Sequence, residues 1–107
     1  MIEAVYLKKY CRVRLTGHAC SNEMGKDLVC AGASTLAVTL AANVRFMKEM
    51  GYVRDAIVEL GSGEALIQCT PVRKYQKSVE QVFNSVCVGF EALAAQYPEY
   101  ISYEVRG

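Results

Sequence analysis

The chain is 107 residues long, 52% hydrophobic and 21% charged, with a formal net charge of +1. That length sets one domain able to build a single core without disulfides or metals. No basic run exceeds Lys8-Lys9, which excludes nucleic acid as a default partner, because phosphate binding needs a concentrated basic face.

Five cysteines (Cys11, Cys20, Cys30, Cys69 and Cys87) are many for this length, but the number is odd and no C-x-x-C spacing occurs. The single histidine, His18, cannot complete the usual zinc patterns. No metal or other cofactor is expected. Met1-Ile2-Glu3-Ala4 lacks the basic start and apolar core of a secretory signal, so free thiols in a reducing cytoplasm are expected. Leu28 to Val44 carries no charge over 17 residues. This is shorter than the roughly 20 residues a bilayer span requires, and Ala, Gly, Ser, Thr and Asn dominate it. A helix buried in a core is expected, with no membrane partner.

In chain order, Ile2–Leu7 and Cys11–Thr16 are short β-rich runs joined at Lys8-Lys9 as a hairpin. In the second run Cys11, Val13 and Leu15 alternate with Arg12, Arg14 and Thr16, the period of a half-buried strand. His18 then stands where that strand ends, just after Gly17. Ala19–Lys26 is polar, contains Gly25, and is expected to be a loop. Asp27 is a natural N-cap for a helix from Leu28 to about Met50, with Lys48 near the negative pole and Gly51 at C′. Tyr52–Leu60 and Glu64–Thr70 are the next strands, turned by Gly61-Ser62-Gly63 and stopped at Pro71. From Ser78 to Tyr97 the apolar residues Val79, Val82, Phe83, Val86, Phe90, Leu93 and Ala94 follow helical spacing. Ser78 and Gln81 form a capping-box signature, Pro98 ends the helix, and Ile101–Val105 alternates as a last strand. The order ββαββαβ predicts an α+β fold, a two-helix sandwich on a mainly antiparallel sheet.

One stretch carries chemistry. With Asp27 as cap, Cys30 falls in the first helical turn, where unpaired amides and the dipole favour a thiolate. Helical spacing puts Asp27 and Ser34 on the face of Cys30. His18 approaches from the strand end, so a nucleophile and a base converge with two polar neighbours. Each residue also has a plain reading. Cys30 fills core, His18 is a surface residue, Asp27 is only a cap, and Ser34 bonds back to a helix carbonyl. Cys69 and Cys87 read as core.

Gly17-His18-Ala19, then Gly25-Lys26-Asp27-Leu28-Val29-Cys30-Ala31, then Ser34 resemble the signature of the bacterial ribosomal-processing cysteine protease (Prp) family. The resemblance extends over nearly the whole chain, with Leu28 standing for the usual isoleucine and an extra thiol at Cys20. It implies a single cysteine-protease domain over residues 1–107, with Cys30 as nucleophile and His18 as base and then acid. Asp27 and Ser34 would support them. Residues Cys20, Ser21, Asn22, Glu23, Met24, Gly25 and Lys26 would form a mobile cover over the substrate. It also implies a cytosolic homodimer. The substrate would be a large-subunit ribosomal protein precursor, relieved of an N-terminal extension by a cut after a pair of phenylalanines. Two other readings are a module that binds a ribosomal protein or assembly factor without cutting it, and a redox sensor pairing Cys30 with Cys20.

Overall fold

Alternation along the strands and a 3–4 spacing along the helices leave each element with one apolar side, and the fold buries those sides against one another. The computed structural model describes residues 1–17 and 24–107. Its strands are β1 (Ile2–Leu7), β2 (Arg12–Thr16), β3 (Val53–Gly61), β4 (Glu64–Pro71) and β5 (Ile101–Arg106). Its helices are α1 (Met24–Glu49) and α2 (Gln76–Gln96). The expected α+β class and the ββαββαβ order are both found. The sheet runs β3-β4-β2-β1-β5. Among the described residues only the β1–β5 pairing is parallel, Ile2 lying opposite Ile101, and the other three are antiparallel.

That order fixes where the helices go. β2 and β3 run in the same direction with β4 between them, and α1 makes the crossover. β4 and β5 also run in the same direction, with β2 and β1 between them, and α2 makes that crossover. Crossovers of this length are needed to join parallel strands, and a shared handedness puts both helices on one face.

α1 is long and apolar enough to cross a membrane by length and composition. One face of it is core, where Val29, Ala33, Ala37, Leu40, Ala41, Val44 and Met47 are each at most 4% exposed, while Leu28, Val38 and Phe46 on other faces are exposed. The sheet answers with Ile2, Ala4, Tyr6, Val13, Leu15, Ile67 and Ile101, and α2 with Val79, Phe83, Cys87 and Phe90. Phe83 stacks on Tyr6 at 6.0 Å and Phe90 on Tyr103 at 6.4 Å between ring centroids. The Tyr6 hydroxyl donates to Asn84 Oδ1 at 3.2 Å, so the largest buried ring keeps a polar partner. The opposite face of the sheet carries Arg12, whose Nε donates to Gln68 Oε1 at 2.7 Å.

The hairpin turn is one 3₁₀ turn, Lys8–Tyr10, and Cys11 just after it takes a left-handed conformation. β2 therefore begins at Arg12 rather than at Cys11. The end of α1 follows expectation. Gly51 has φ +77°, its N–H donates to the Lys48 carbonyl at 3.2 Å, and the Tyr52 N–H donates to the Met47 carbonyl at 2.8 Å. These two bonds are a Schellman closure. The Lys48 ammonium bonds the Arg54 carbonyl at 2.6 Å.

Both helix starts differ from the sequence reading. α1 begins at Met24, so Asp27 is its fourth residue and not its cap. α2 begins at Gln76 after a 3₁₀ turn (Arg73–Tyr75), so Ser78 and Gln81 lie inside it and no capping box forms. Tyr75, at that start, packs against Tyr52 with centroids 4.6 Å apart.

Phe90 is fully buried at the α2–sheet contact, so Phe90→Ala is expected to cost about 3–5 kcal/mol in urea unfolding. Burial also lifts the Cys87 thiol to about 11. A thiol held protonated in the fold contributes stability that is complete below its unfolded range near pH 9. That contribution disappears as pH rises toward the folded value. Unfolding free energy should therefore fall between about pH 9 and 11, by up to ~1.4 kcal/mol per pH unit from this group. Cys87→Ala should flatten that slope in denaturant titrations at stepped pH.

Candidate active site

Gly17 ends β2 with φ +101°, a backbone conformation that suits glycine. A Cβ there would overlap the Met1 carbonyl oxygen, and the Gly17 N–H donates to the Gly63 carbonyl at 2.9 Å. The chain therefore leaves the sheet at a pinned point, wedged between the start of β1 and the β3–β4 turn. His18 is the next residue in sequence. It lies outside the described residues, as do Ala19, Cys20, Ser21, Asn22 and Glu23.

A cleft of about 160 Å³ opens at this end of the sandwich. Its sheet wall is Ile2, Leu15, Gly17 and Ala65; its helix wall is Cys30, Ala33, Ser34, Ala37 and Val38; its rim is Leu60, Gly61, Gly63 and Glu64. Helical geometry selects the α1 residues. Val29 and Ala33 point into the core at 0% and 4% exposure. One position further round, Cys30 and Ser34 come one turn apart on the side that faces the cleft. Cys30 is half-buried and Ser34 exposed. Among the described residues the lining is thus mostly apolar, with the Cys30 thiol, the Ser34 hydroxyl and, at the rim, the Glu64 carboxylate. A second hollow, about 290 Å³ around Arg14, Glu59 and Glu64, is lined by no cysteine.

Two sequence expectations are corrected here. Met24, Gly25 and Lys26 belong to α1, not to a covering loop. The earlier start also puts Cys30 at the seventh helical position, in the second turn, so its amide lies within the helical ladder. The idea that free first-turn amides surround the thiol does not survive. Asp27 is exposed and does not line the cleft; as an acid in the first turn it complements the helix dipole.

Sequence reasoning missed the other side of the cleft. Leu60, Gly61 and Glu64 read only as a strand end and a turn, and their place beside α1 depends on β4 pairing with β2. Of the aromatic side chains Phe46, Tyr52, Tyr75 and Phe83, the last is core, Tyr52 and Tyr75 pack against each other and Phe46 is exposed, and none of the four lines the cleft. Among the described residues no group of three His, Cys, Asp or Glu side chains could hold a metal ion.

The family model for cysteine protease Prp matches residues 1–102. The chain belongs to the cysteine protease Prp family. Its fold is similar to SMU.848 from Streptococcus mutans, with 27% identity and a TM-score of 0.72 over 98% of this chain and 93% of that one. It is also similar to the ribosomal processing protease Prp from S. aureus bound to a covalently linked product peptide. That pair shares 19% identity, with a TM-score of 0.69 over 98% and 97% of the two chains. The same S. aureus protease with a substrate peptide gives 18% identity and a TM-score of 0.70, with the same coverage. None of the curated proteins matches this chain.

Because Gly17 is both left-handed and hemmed in by backbone, Gly17→Ala is expected to destabilise the fold by about 1–3 kcal/mol. Thermal or urea unfolding checks this. Gly51→Ala has open space around its Cβ and should carry only the cost of its backbone conformation.

Proposed function

We propose that this chain is a cysteine endopeptidase that removes an N-terminal extension from a bacterial large-subunit ribosomal protein, cutting after an aromatic pair. The observation that carries the reading is the placement of Cys30 and Ser34 on one wall of an apolar cleft. The opposite wall includes Gly17, the covalent neighbour of His18. Membership of a cysteine protease family supports the same assignment, and so do the peptide complexes of the S. aureus protein of like fold.

In this reading the Cys30 thiol gives its proton to His18, and the thiolate attacks the carbonyl carbon of the second aromatic residue. The C–N bond of the resulting tetrahedral adduct breaks, and His18 returns the proton to the departing amine. A thioester to Cys30 remains, and water hydrolyses it with His18 acting again as base. Ser34, one turn from Cys30, supplies a hydroxyl to substrate or intermediate. Asp27 acts through the first turn of α1. An apolar cleft suits an aromatic side chain, since burying apolar surface is favourable by about 25 cal/mol per Å². The protein works in this reading as a cytosolic homodimer. The exposed Leu28, Val38 and Phe46 of α1 offer apolar surface to a second copy, and sedimentation at twice the 11.8 kDa chain mass tests that.

The decisive experiment is cleavage of a peptide copying such an extension, read by mass spectrometry. A single cut after the aromatic pair is expected from the unaltered chain. Cys30→Ala and His18→Ala should each lower the rate at least about 10³-fold, while Cys20→Ser should keep it. A peptide that binds but is never cut would instead establish the non-catalytic binding module.

A further inference from the structure

Two buried thiols outside the cleft face each other across the middle of the sheet. β2 pairs with β4 so that Arg12 lies opposite Gln68 and Val13 opposite Ile67. One further step of that register sets Cys11 opposite Cys69, and the Cys69 N–H donates to the Cys11 carbonyl at 3.1 Å. Both side chains enter the core, at 4% and 1% exposure. Only one bond of such a pair is made, since the Cys11 N–H turns to the Lys8 carbonyl. Residues directly opposite in an antiparallel pair stand about 4.5–5.5 Å apart at Cα, within the ~4.4–6.8 Å that a disulfide spans. Each thiol shifts the other's titration, as close neighbours do, whereas Cys87, the third buried thiol among the described residues, lies on α2 and is influenced by Tyr103.

We propose that Cys11 and Cys69 form a cross-strand dithiol that is oxidised, by exchange with a small-molecule disulfide of the glutathione class, to a disulfide tying β2 to β4.

Access runs through Cys11. It follows the 3₁₀ turn Lys8–Tyr10, whose three residues are all exposed and whose closing bond to Lys8 is long, at 3.4 Å. Among the described residues, Cys11 is also the non-glycine residue with positive φ, at 45°. A single exposed turn with so weak a closure opens at low cost, and opening it uncovers the Cys11 sulfur. Cys69 beside it holds the Cys11 titration below the ordinary range, while burial opposes that shift. Cys11, the thiol that this opening uncovers, is the attacking thiolate. It displaces one thiolate from the small disulfide and forms a mixed disulfide. Cys69 then attacks the Cys11 sulfur and expels the second. Two protein thiols lose two electrons and two protons, and the small disulfide is reduced to two thiols.

The bond would close a loop of more than half the chain, which restricts the unfolded state strongly. It would also fasten β2 to β4 at the end away from the cleft, whose walls include Leu15 and Ala65 from the same two strands. None of this depends on the peptidase reading.

The test uses the full chain carrying Cys20→Ser and Cys30→Ser, which keeps Cys11, Cys69 and Cys87. It is equilibrated in mixtures of oxidised and reduced glutathione, and free thiols are then alkylated under denaturing conditions for mass spectrometry. The expected product has lost two hydrogens and carries a single alkylated thiol, at Cys87. It also links the tryptic peptides Tyr10–Arg12 and Asp55–Arg73. Dithiothreitol should reverse the link, and the oxidised form should melt several degrees higher. With Cys69→Ala added, a glutathione adduct should accumulate on Cys11 with no link. Should that variant not fold, the peptide map of the three-cysteine chain decides alone. Three alkylated thiols at every glutathione ratio would overturn the proposal. So would a glutathione adduct that never resolves, or a link that includes Cys87.

Discussion

Everything at the cleft depends on how closely α1 can approach its neighbours, and that distance is set by residues with almost no side chain. Toward the sheet α1 presents Ala33, Ala37 and Ala41. Toward α2 the contact is reciprocal. A Cβ on Gly32 would stand 3.1 Å from Leu93 Cδ1, and one on Gly89 would stand 2.5 Å from Leu36 Cδ2. Each helix thus lends a leucine to the other's glycine. Interiors packed at this density transmit small volume changes, so the depth at which Cys30 sits is fixed by contacts one and two turns away from it.

Much of this architecture is legible in the sequence because local patterns carry it. The alternation through Val13 and Leu15, the helical run from Val79 to Ala94, and Gly51 as a left-handed stop all rest on residues within a turn or two of one another. The helix starts are where local reasoning fails. Gly25 reads as a breaker, yet a glycine costs a helix only about 1 kcal/mol, and the packing of the 26-residue α1 absorbs it. Ser78 reads as a cap, yet Tyr75 against Tyr52 anchors the chain earlier, and Gln76 and Lys77 join the helix.

What no local pattern can supply is strand order. Nothing near Cys11 says that its neighbour is Cys69, and nothing near Cys30 says that Leu60 and Glu64 will stand across a cleft from it. Both follow from β4 inserting between β2 and β3. The candidate site was therefore half legible. The thiol on an apolar helix, the hydroxyl one turn on and the glycine before His18 can be read from spacing, and the wall that completes the cleft cannot.

The parallel pairing of β1 with β5 has a consequence for synthesis. β1 holds an interior place in the sheet, but its second partner is made of residues 101–106, almost a full chain length later. While the ribosome is still building α2, the inner edge of β1 has only β2 beside it, and the apolar side chains of Ile2, Ala4 and Tyr6 lack part of their cover. Pairings this distant in sequence form slowly and leave strand edges open to misassociation. Closure of the sheet must then wait until residues 101–106 have left the exit tunnel, so the partly made chain is the form most open to misassociation.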